Sequence, residues 1–224
     1  MALRFIEVRS IEKPVEYLSE LLKTHLEKGE NVLWLVAGGS AMDIAAEVAK
    51  RLSAGPNLER LTVTLTDERY GPVGHPDSNW RQLSERGFLL PGAHLMAVLD
   101  GSDMDGVVQK FAAALEKSIG SADYSVALAG MGADGHIFGI KAGSSAVDSP
   151  QNVVGYKWDD YERVTPTINL IKKLDEVVIY AVGQEKHRQL DDLDKDLPAE
   201  RQPAQLLKQA AKVSIFNDYK GDSA

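Results

Sequence analysis

The chain has 224 residues, of which 44% are hydrophobic and 26% charged, proportions that are typical of a globular protein. Its 33 acidic and 25 basic side chains give a net charge of −8, which argues against nucleic-acid binding because nucleic-acid-binding surfaces are usually basic. The absence of cysteine excludes disulfides, thiolate nucleophiles and cysteine-ligated metal centres.

No segment of the sequence is suited to a membrane. The longest apolar run is far shorter than the roughly 20 residues of a membrane span. The first ten residues, MALRFIEVRS, carry charges where a signal peptide has an apolar core. We therefore expect a cytoplasmic protein that binds neither membrane nor nucleic acid. Nothing in the sequence marks a subunit interface, so monomer and dimer both remain open.

Helical and strand-like patterns alternate along the chain. Apolar residues recur every three or four positions in 12–28, as in a surface helix, whereas 31–37 is an unbroken apolar run, as in a buried strand. In chain order, the predicted elements are helix 12–28, strand 31–37, helix 41–52, strand 61–66, helix 79–87, helix 103–119, strand 124–129, helix 165–173, strand 176–182, helix 184–193, helix 203–211 and strand 213–216. The helix over 165–173 is placed by its opening Thr165 and Pro166, a cap residue followed by the residue favoured at the first helical position.

This alternation predicts a single α/β domain over 1–224, with a mostly parallel, twisted sheet flanked by helices in three Rossmann-like layers. Segment 139–164 has no regular pattern and is predicted to be a loop over the active site or a mobile flap. Residues 220–224 are predicted to be frayed. Ligands of such sheets bind outside the carboxyl ends of the strands, so the site is expected where the apolar runs end. Four segments lie there, at 38–40, 67–69, 130–136 and 183–186.

The first of these segments is Gly38, Gly39 and Ser40, between a buried strand and a helix N-terminus. Glycines let the backbone approach a ligand closely, and the free N–H groups of a helix start favour an anion such as phosphate. A simple tight turn between strand and helix explains the same residues.

Segment 130–136 reads GMGADGH and matches the dinucleotide-binding pattern G-x-G-x-x-G literally. The match lies in the third strand–loop unit, no regular helix follows it, and Asp134 would place a carboxylate against the pyrophosphate. The glycines are better explained as shaping a loop that presents Asp134 and His136. His136 is the preferred proton acceptor among five histidines, with a structural loop histidine as the alternative. No two histidines have zinc-ligand spacing.

The segment after strand 61–66 carries charges of both signs. Asp67 could act as a base and Arg69 could clamp a phosphate, but a salt-bridged loop entrance explains the triplet of Asp67, Glu68 and Arg69 equally well. Ser78 and Asn79 start a helix, and capping alone accounts for them.

Two further cations are predicted at helix starts. Lys186 lies in the first turn after Gly183, where a cation is unfavourable unless an anion neutralises it. Arg163 lies beside the predicted helix start at Thr165 and could bind an anion for the same reason.

Five segments together resemble the 6-phosphogluconolactonase family, which shares its fold with glucosamine-6-phosphate deaminases. They are AGGS at 37–40, TDERY at 66–70 with HPDSN at 75–79, GMGADGH at 130–136, RVT at 163–165 and GQEK at 183–186. Each is weak alone, but five in this order and spacing are specific. The resemblance runs from about residue 30 to 190.

The resemblance implies hydrolysis of 6-phospho-D-glucono-1,5-lactone to 6-phosphogluconate in the oxidative pentose phosphate pathway, without a metal or cofactor. His136 matches the general base that activates water. The positions matched around the substrate phosphate are Gly38, Gly39, Ser40, Arg69 and Lys186. The positions matched to pocket shape or to the orientation of His136 are Asp67, Asn79, Asp134 and Arg163. The glycine loop 130–135, with Gly132, is a candidate oxyanion site.

Two alternatives remain open. A glucosamine-6-phosphate deaminase or sugar-phosphate isomerase would use Asp67 to move a proton at carbon, and the Gly-His-Ile sequence at 135–137 resembles the deaminases. Those enzymes have a glutamate five residues after the histidine, where this chain has Lys141. The stretch 137–143 also departs from the lactonase pattern. This departure motivates the second alternative, a sugar-phosphate-binding protein without turnover.

Overall fold

The computed structural model describes residues 3–221 and contains a large parallel sheet and a small antiparallel one. The strands of this part of the chain are β1 (Arg4–Glu7), β2 (Val32–Val36), β3 (Leu61–Leu65), β4 (Glu68–Arg69), β5 (His94–Leu95), β6 (Tyr124–Gly130), β7 (Val153–Lys157), β8 (Glu162–Pro166), β9 (Glu176–Ala181) and β10 (Val213–Asn217). The large sheet has the order β1-β10-β9-β6-β2-β3-β5, and every neighbouring pair is parallel. The predicted α/β fold class is confirmed.

Helices flank this sheet. They are α1 (Glu12–Glu27), α2 (Met42–Leu52), α3 (Asn79–Glu85), α4 (Met104–Ser121), α5 (Ile168–Ile171) and α6 (Gln184–Asp192), with 3₁₀ turns at Gly39–Ala41, Leu58–Arg60 and Pro203–Gln209. Strands β2 and β9 are buried at every position, as expected for strands covered on both faces. Within residues 3–221, no helix combines the length and the apolar character that a membrane span requires.

The main error of the sequence prediction lies in 139–164. This stretch contains β7 and the start of β8, which form a hairpin, and β8 also pairs with β4 in the small antiparallel sheet. Thr165 and Pro166 complete β8 instead of opening a helix. Helix α5 starts at Ile168 and is capped by Thr167, whose Oγ1 accepts the Asn169 N–H at 3.3 Å. The local cap signal at Thr165 is overridden by pairing with β7.

The remaining differences are smaller. Edge strands β1 and β5 were not predicted because they are short, and the predicted helix over 203–211 is a 3₁₀ helix. Lys220 is not frayed, since its Nζ donates to the Leu190 carbonyl at 3.1 Å, and residues 222–224 of the predicted frayed end lie outside the described residues. The other predicted strands and helices are confirmed to within about three residues.

Candidate active site

A cleft of about 260 Å³ lies at the carboxyl ends of β2, β3, β6 and β9. It is lined by ten of the predicted site residues, Gly38, Gly39, Ser40, Asp67, Arg69, Asn79, Gly132, His136, Arg163 and Lys186. Asp134, the remaining predicted residue, lies behind His136 and contacts it. The four segments that follow the apolar strands therefore meet in one place, as the parallel sheet requires.

His136 and Asp134 form a close pair on the loop that follows β6. Asp134 Oδ1 lies 2.5 Å from His136 Nδ1. A carboxylate only accepts hydrogen bonds, so Nδ1 carries the proton and Nε2 is left as the acceptor. The hydrogen bond with His136 and, to a smaller extent, Lys141 hold the pKa of Asp134 well below its usual range, although partial burial opposes this. The pair is thus a carboxylate beside an imidazole that can take a proton.

The loop carries this pair only because Gly132 has no side chain. The Gly132 N–H donates to the His136 carbonyl at 2.9 Å, and the Gly135 N–H donates to the Gly132 carbonyl at 2.9 Å. A Cβ at position 132 would overlap His136 Nδ1 and Asp134 Oδ1. These two amides are used inside the loop, so the glycine loop predicted as an oxyanion site does not offer them to a ligand.

Lys186 is a buried cation that forms no ion pair among residues 3–221. Its residue is 8% exposed, it lines the cleft in the first turn of α6, and no hydrogen bond or ion pair to its Nζ is found within residues 3–221. Burial lowers the pKa of Lys186, and the carboxylates of Glu185 and Asp218 oppose this effect. Since a buried unpaired charge is unfavourable, the cleft favours an anionic ligand.

Arg69 and Arg163 face each other across the β4–β8 pair. Both contact the ring of Tyr161, whose centroid lies 4.5 Å from Arg69 Cζ and 5.4 Å from Arg163 Cζ. Arg163 donates to both carboxylate oxygens of Asp160, at 2.7 and 2.9 Å. The Arg69 guanidinium donates to the Asp77 carbonyl at 3.0 Å, and no carboxylate pairs with it in the described part of the chain.

Arg163 was predicted beside a helix start, and this placement is wrong. It is a buried residue of β8, and Asp160 already neutralises its charge. Arg69 therefore has more charge available to a ligand than Arg163. Arg163 instead contacts the Tyr161 ring, which Arg69 also contacts.

The segment 67–79 contains one residue that lines the cleft, Asp67, and one buried residue that fixes the start of α3, Glu68. Asp67 lines the cleft, whereas Glu68 is buried and accepts the N–H groups of Asn79 at 2.6 Å and Trp80 at 3.1 Å at the start of α3. Ser78 caps the same helix, as predicted, through the Arg81 N–H at 3.2 Å. Glu68 thus stabilises a helix N-terminus instead of forming the salt bridge considered from the sequence.

Asn79, the first residue of α3, contacts both Asp67 and the glycine segment at Gly38. Its Nδ2 donates to the Asp67 carbonyl at 2.9 Å, and its Oδ1 is buried without a partner among the described residues. A Cβ at Gly38 would overlap the Asn79 amide, so only glycine permits this contact. Gly39 and Ser40 continue into the 3₁₀ turn that leads into α2, where backbone N–H groups lack helical partners.

Three residues at the site were not predicted as functional. Tyr161 and Asp160 belong to the hairpin turn between β7 and β8. The sequence signal that could have predicted this hairpin is a pair of short strand-like runs separated by four residues. Lys141 lies 3.1 Å from Asp134 Oδ2, and nothing in its spacing indicates that contact. Within residues 3–221, no three His, Asp or Glu side chains group closely enough to hold a metal ion.

The fold and the cleft define an α/β protein with a cation-lined pocket and a histidine–carboxylate pair beside it. A family model described as glucosamine-6-phosphate isomerases/6-phosphogluconolactonase matches residues 8–215. The chain belongs to this family, which confirms the resemblance seen in the five sequence segments.

Individual relatives carry both family names. A 6-phosphogluconolactonase of Caulobacter vibrioides is 30% identical over 172 residues, covering 70% of this chain and 72% of that protein. The crystal structure of a 6-phosphogluconolactonase of Thermotoga maritima superposes with a TM-score of 0.81 at 22% identity, covering 96% of this chain and 98% of that one. A monomeric glucosamine-6-phosphate deaminase superposes with a TM-score of 0.78 at 19% identity, covering 96% and 97%. The two structures establish the fold, which proteins of both names share.

Proposed function

We propose that this protein is a cytoplasmic lactone hydrolase that acts as a single α/β domain over 1–224. Its proposed reaction is the conversion of 6-phospho-D-glucono-1,5-lactone to 6-phosphogluconate, without a metal or cofactor. The observation that carries the proposal is that one cleft holds both a proton acceptor, His136 paired with Asp134, and an unpaired buried cation, Lys186. A phosphorylated lactone requires both groups.

The phosphate end of the substrate is assigned to the cationic side of the cleft. Lys186 gains the counter-ion that it lacks, and Arg69 offers a guanidinium that no carboxylate occupies within the described residues. Gly38, Gly39 and Ser40 add N–H and hydroxyl donors at the start of α2. Arg163 contributes through Tyr161, since Asp160 holds its guanidinium.

The chemical step is assigned to His136. Nε2 takes a proton from water while the water oxygen attacks the lactone carbonyl carbon, giving a tetrahedral oxyanion and an imidazolium. Asp134 stabilises the imidazolium through Nδ1–H. The intermediate then collapses, the bond between the carbonyl carbon and the ring oxygen breaks, and the imidazolium returns its proton to that oxygen. The ring oxygen becomes a hydroxyl, and the product acid ionises.

A deaminase or isomerase is the second candidate, and one observation favours it. Asp67 lines the cleft, pairs with no cation within residues 3–221, and could move a proton between neighbouring carbons of a sugar phosphate. Against this, the position five residues after His136, where the deaminases have an acid, is occupied by Lys141. A sugar-phosphate-binding protein without turnover is the third candidate.

The test is a coupled assay with freshly generated 6-phosphogluconolactone, in which 6-phosphogluconate formation is followed against the spontaneous rate. We expect acceleration by the native protein and a loss of about 100- to 10,000-fold in His136→Ala. His94→Ala, on the exposed edge strand β5, is the matched control and should keep the native rate. No acceleration by the native protein would refute the lactonase. Ammonia release from glucosamine 6-phosphate would instead support the deaminase, and tight sugar-phosphate binding without either product would support the third candidate.

A further inference from the structure

The side of the His136–Asp134 pair that faces away from the cleft carries an unexpected cation. Lys141 Nζ lies 3.1 Å from Asp134 Oδ2 and 3.1 Å from His136 Nδ1. Its side chain is only 13% exposed, and it does not line the cleft. Lys141 is therefore placed to act on the pair but not on a ligand.

The donors and acceptors of the three groups fit only one arrangement. A lysine ammonium donates and never accepts, and a carboxylate accepts and never donates. Because Asp134 Oδ1 lies 2.5 Å from His136 Nδ1, that nitrogen carries a proton. It therefore cannot accept a hydrogen bond from Lys141. The ammonium therefore donates to Asp134 Oδ2, and each carboxylate oxygen has its own donor.

The backbone of 137–141 is folded in a way that brings Lys141 back to the pair. Phe138 has φ of 53°, an unfavourable value for an aromatic residue, and its carbonyl accepts from Thr165 Oγ1 of β8. Tyr156 of β7 donates its hydroxyl to the Gly139 carbonyl and accepts the Lys141 N–H at 3.3 Å. Both strands of the hairpin thus hold the turn from which the Lys141 side chain extends.

We propose that Lys141 is a positioning residue of the His136–Asp134 pair. Its ammonium fixes the Asp134 carboxylate in one orientation, and this carboxylate holds His136 in the tautomer whose Nε2 accepts a proton. The expected effect of Lys141 on kcat rests on the proposed hydrolysis, whereas its expected effect on the His136 tautomer does not. A purely structural ion pair at this half-exposed carboxylate would contribute little to stability and would leave the imidazole tautomer unchanged.

The test combines steady-state kinetics with ¹⁵N NMR of the histidine rings in the full chain. Lys141→Met removes the ammonium, Lys141→Arg keeps a cation, and Lys172→Met is a control on an exposed lysine. We expect Lys141→Met to lose about tenfold in kcat with KM within twofold of native, since the phosphate contacts are untouched. Lys141→Arg should recover at least a third of the native kcat, and Lys172→Met should match the native protein.

The NMR measurement keeps the inference separate from the proposed function. In the native protein, His136 should carry its proton on Nδ1, and Lys141→Met should show a mixture of tautomers. A native His136 with its proton on Nε2 would overturn the inference, whether or not Lys141→Met folds. A folded Lys141→Met with the native kcat and the native His136 tautomer would also overturn it. A native protein that shows the expected tautomer but does not accelerate lactone hydrolysis would refute the proposed function alone.

Discussion

Replacing Lys186 with methionine removes the buried cation and keeps most of the side-chain volume. The free protein should tolerate the change, because Nζ has no hydrogen bond or ion pair to lose within residues 3–221. Burial lowers the Lys186 pKa, so the charged form is less stable folded than unfolded. This penalty is fully present below the folded pKa, shrinks as the pH rises from the folded toward the unfolded pKa, and is gone above the ordinary lysine value of 10.5. We therefore expect a melting temperature equal to or above native at pH 7, with the difference shrinking at alkaline pH.

Lys186→Met should weaken substrate binding although it does not destabilise the free protein. Truncating one partner of a buried charge pair costs about 2–5 kcal/mol, and the lower part of that range applies here because the proposed phosphate site keeps Arg69 and the start of α2, which line the same cleft. A loss of about 2–3 kcal/mol corresponds to an increase in KM of roughly 30- to 150-fold. The phosphate lies away from the reacting carbonyl, so kcat should change by only a few-fold.

The assay measures kcat, KM and thermal unfolding for the native protein, Lys186→Met and Lys50→Met. Lys50 is an exposed lysine in the last turn of α2, so its variant has the same net charge as Lys186→Met without touching the cleft. Lys50→Met should keep native kinetics. A KM for Lys186→Met within twofold of native would refute the assignment of Lys186 as the phosphate cation. A melting temperature several degrees below native would refute the inference that its buried charge destabilises the free protein.

Two further predictions concern the loop and the hairpin. Gly132→Ala should lower kcat by about 100-fold or more in the lactone assay, because a Cβ there displaces the His136–Asp134 pair; native kcat would contradict this packing. Asp160→Asn should destabilise the protein in urea at pH 7 by about 1 kcal/mol or less, since the Asp160 carboxylate is about half exposed. Arg163 holds the Asp160 pKa at about 2, so this stabilisation is present above the ordinary value of 3.8 and lost as the pH falls toward 2. A difference between the two proteins that persists unchanged to pH 2 would contradict it.

The central strands and the segments that follow them could be predicted from the sequence. Buried parallel strands such as β2 and β9 are apolar at nearly every position, which makes them visible without an alignment. Once the strands are known to be parallel, their carboxyl ends must share one edge of the sheet. The order of strands and helices along the chain is therefore enough to place His136 and Lys186 at the same edge.

The features that could not be predicted from the sequence depend on contacts between distant parts of the chain. The position of Arg163 in a strand depends on pairing with β4 and β7, and its local sequence carries a misleading helix-start signal at Thr165 and Pro166. The contact of Lys141 with Asp134 depends on the turn that Tyr156 and the hairpin hold in place. Such contacts leave no periodic pattern in the sequence.

A crystal structure of the protein with 6-phosphogluconate tests the central claim most directly. The account predicts the phosphate within hydrogen-bonding distance of Lys186 and Arg69, and the product carboxylate beside His136 Nε2. A phosphate bound at His136, or a ligand bound with no contact to Lys186, would contradict it.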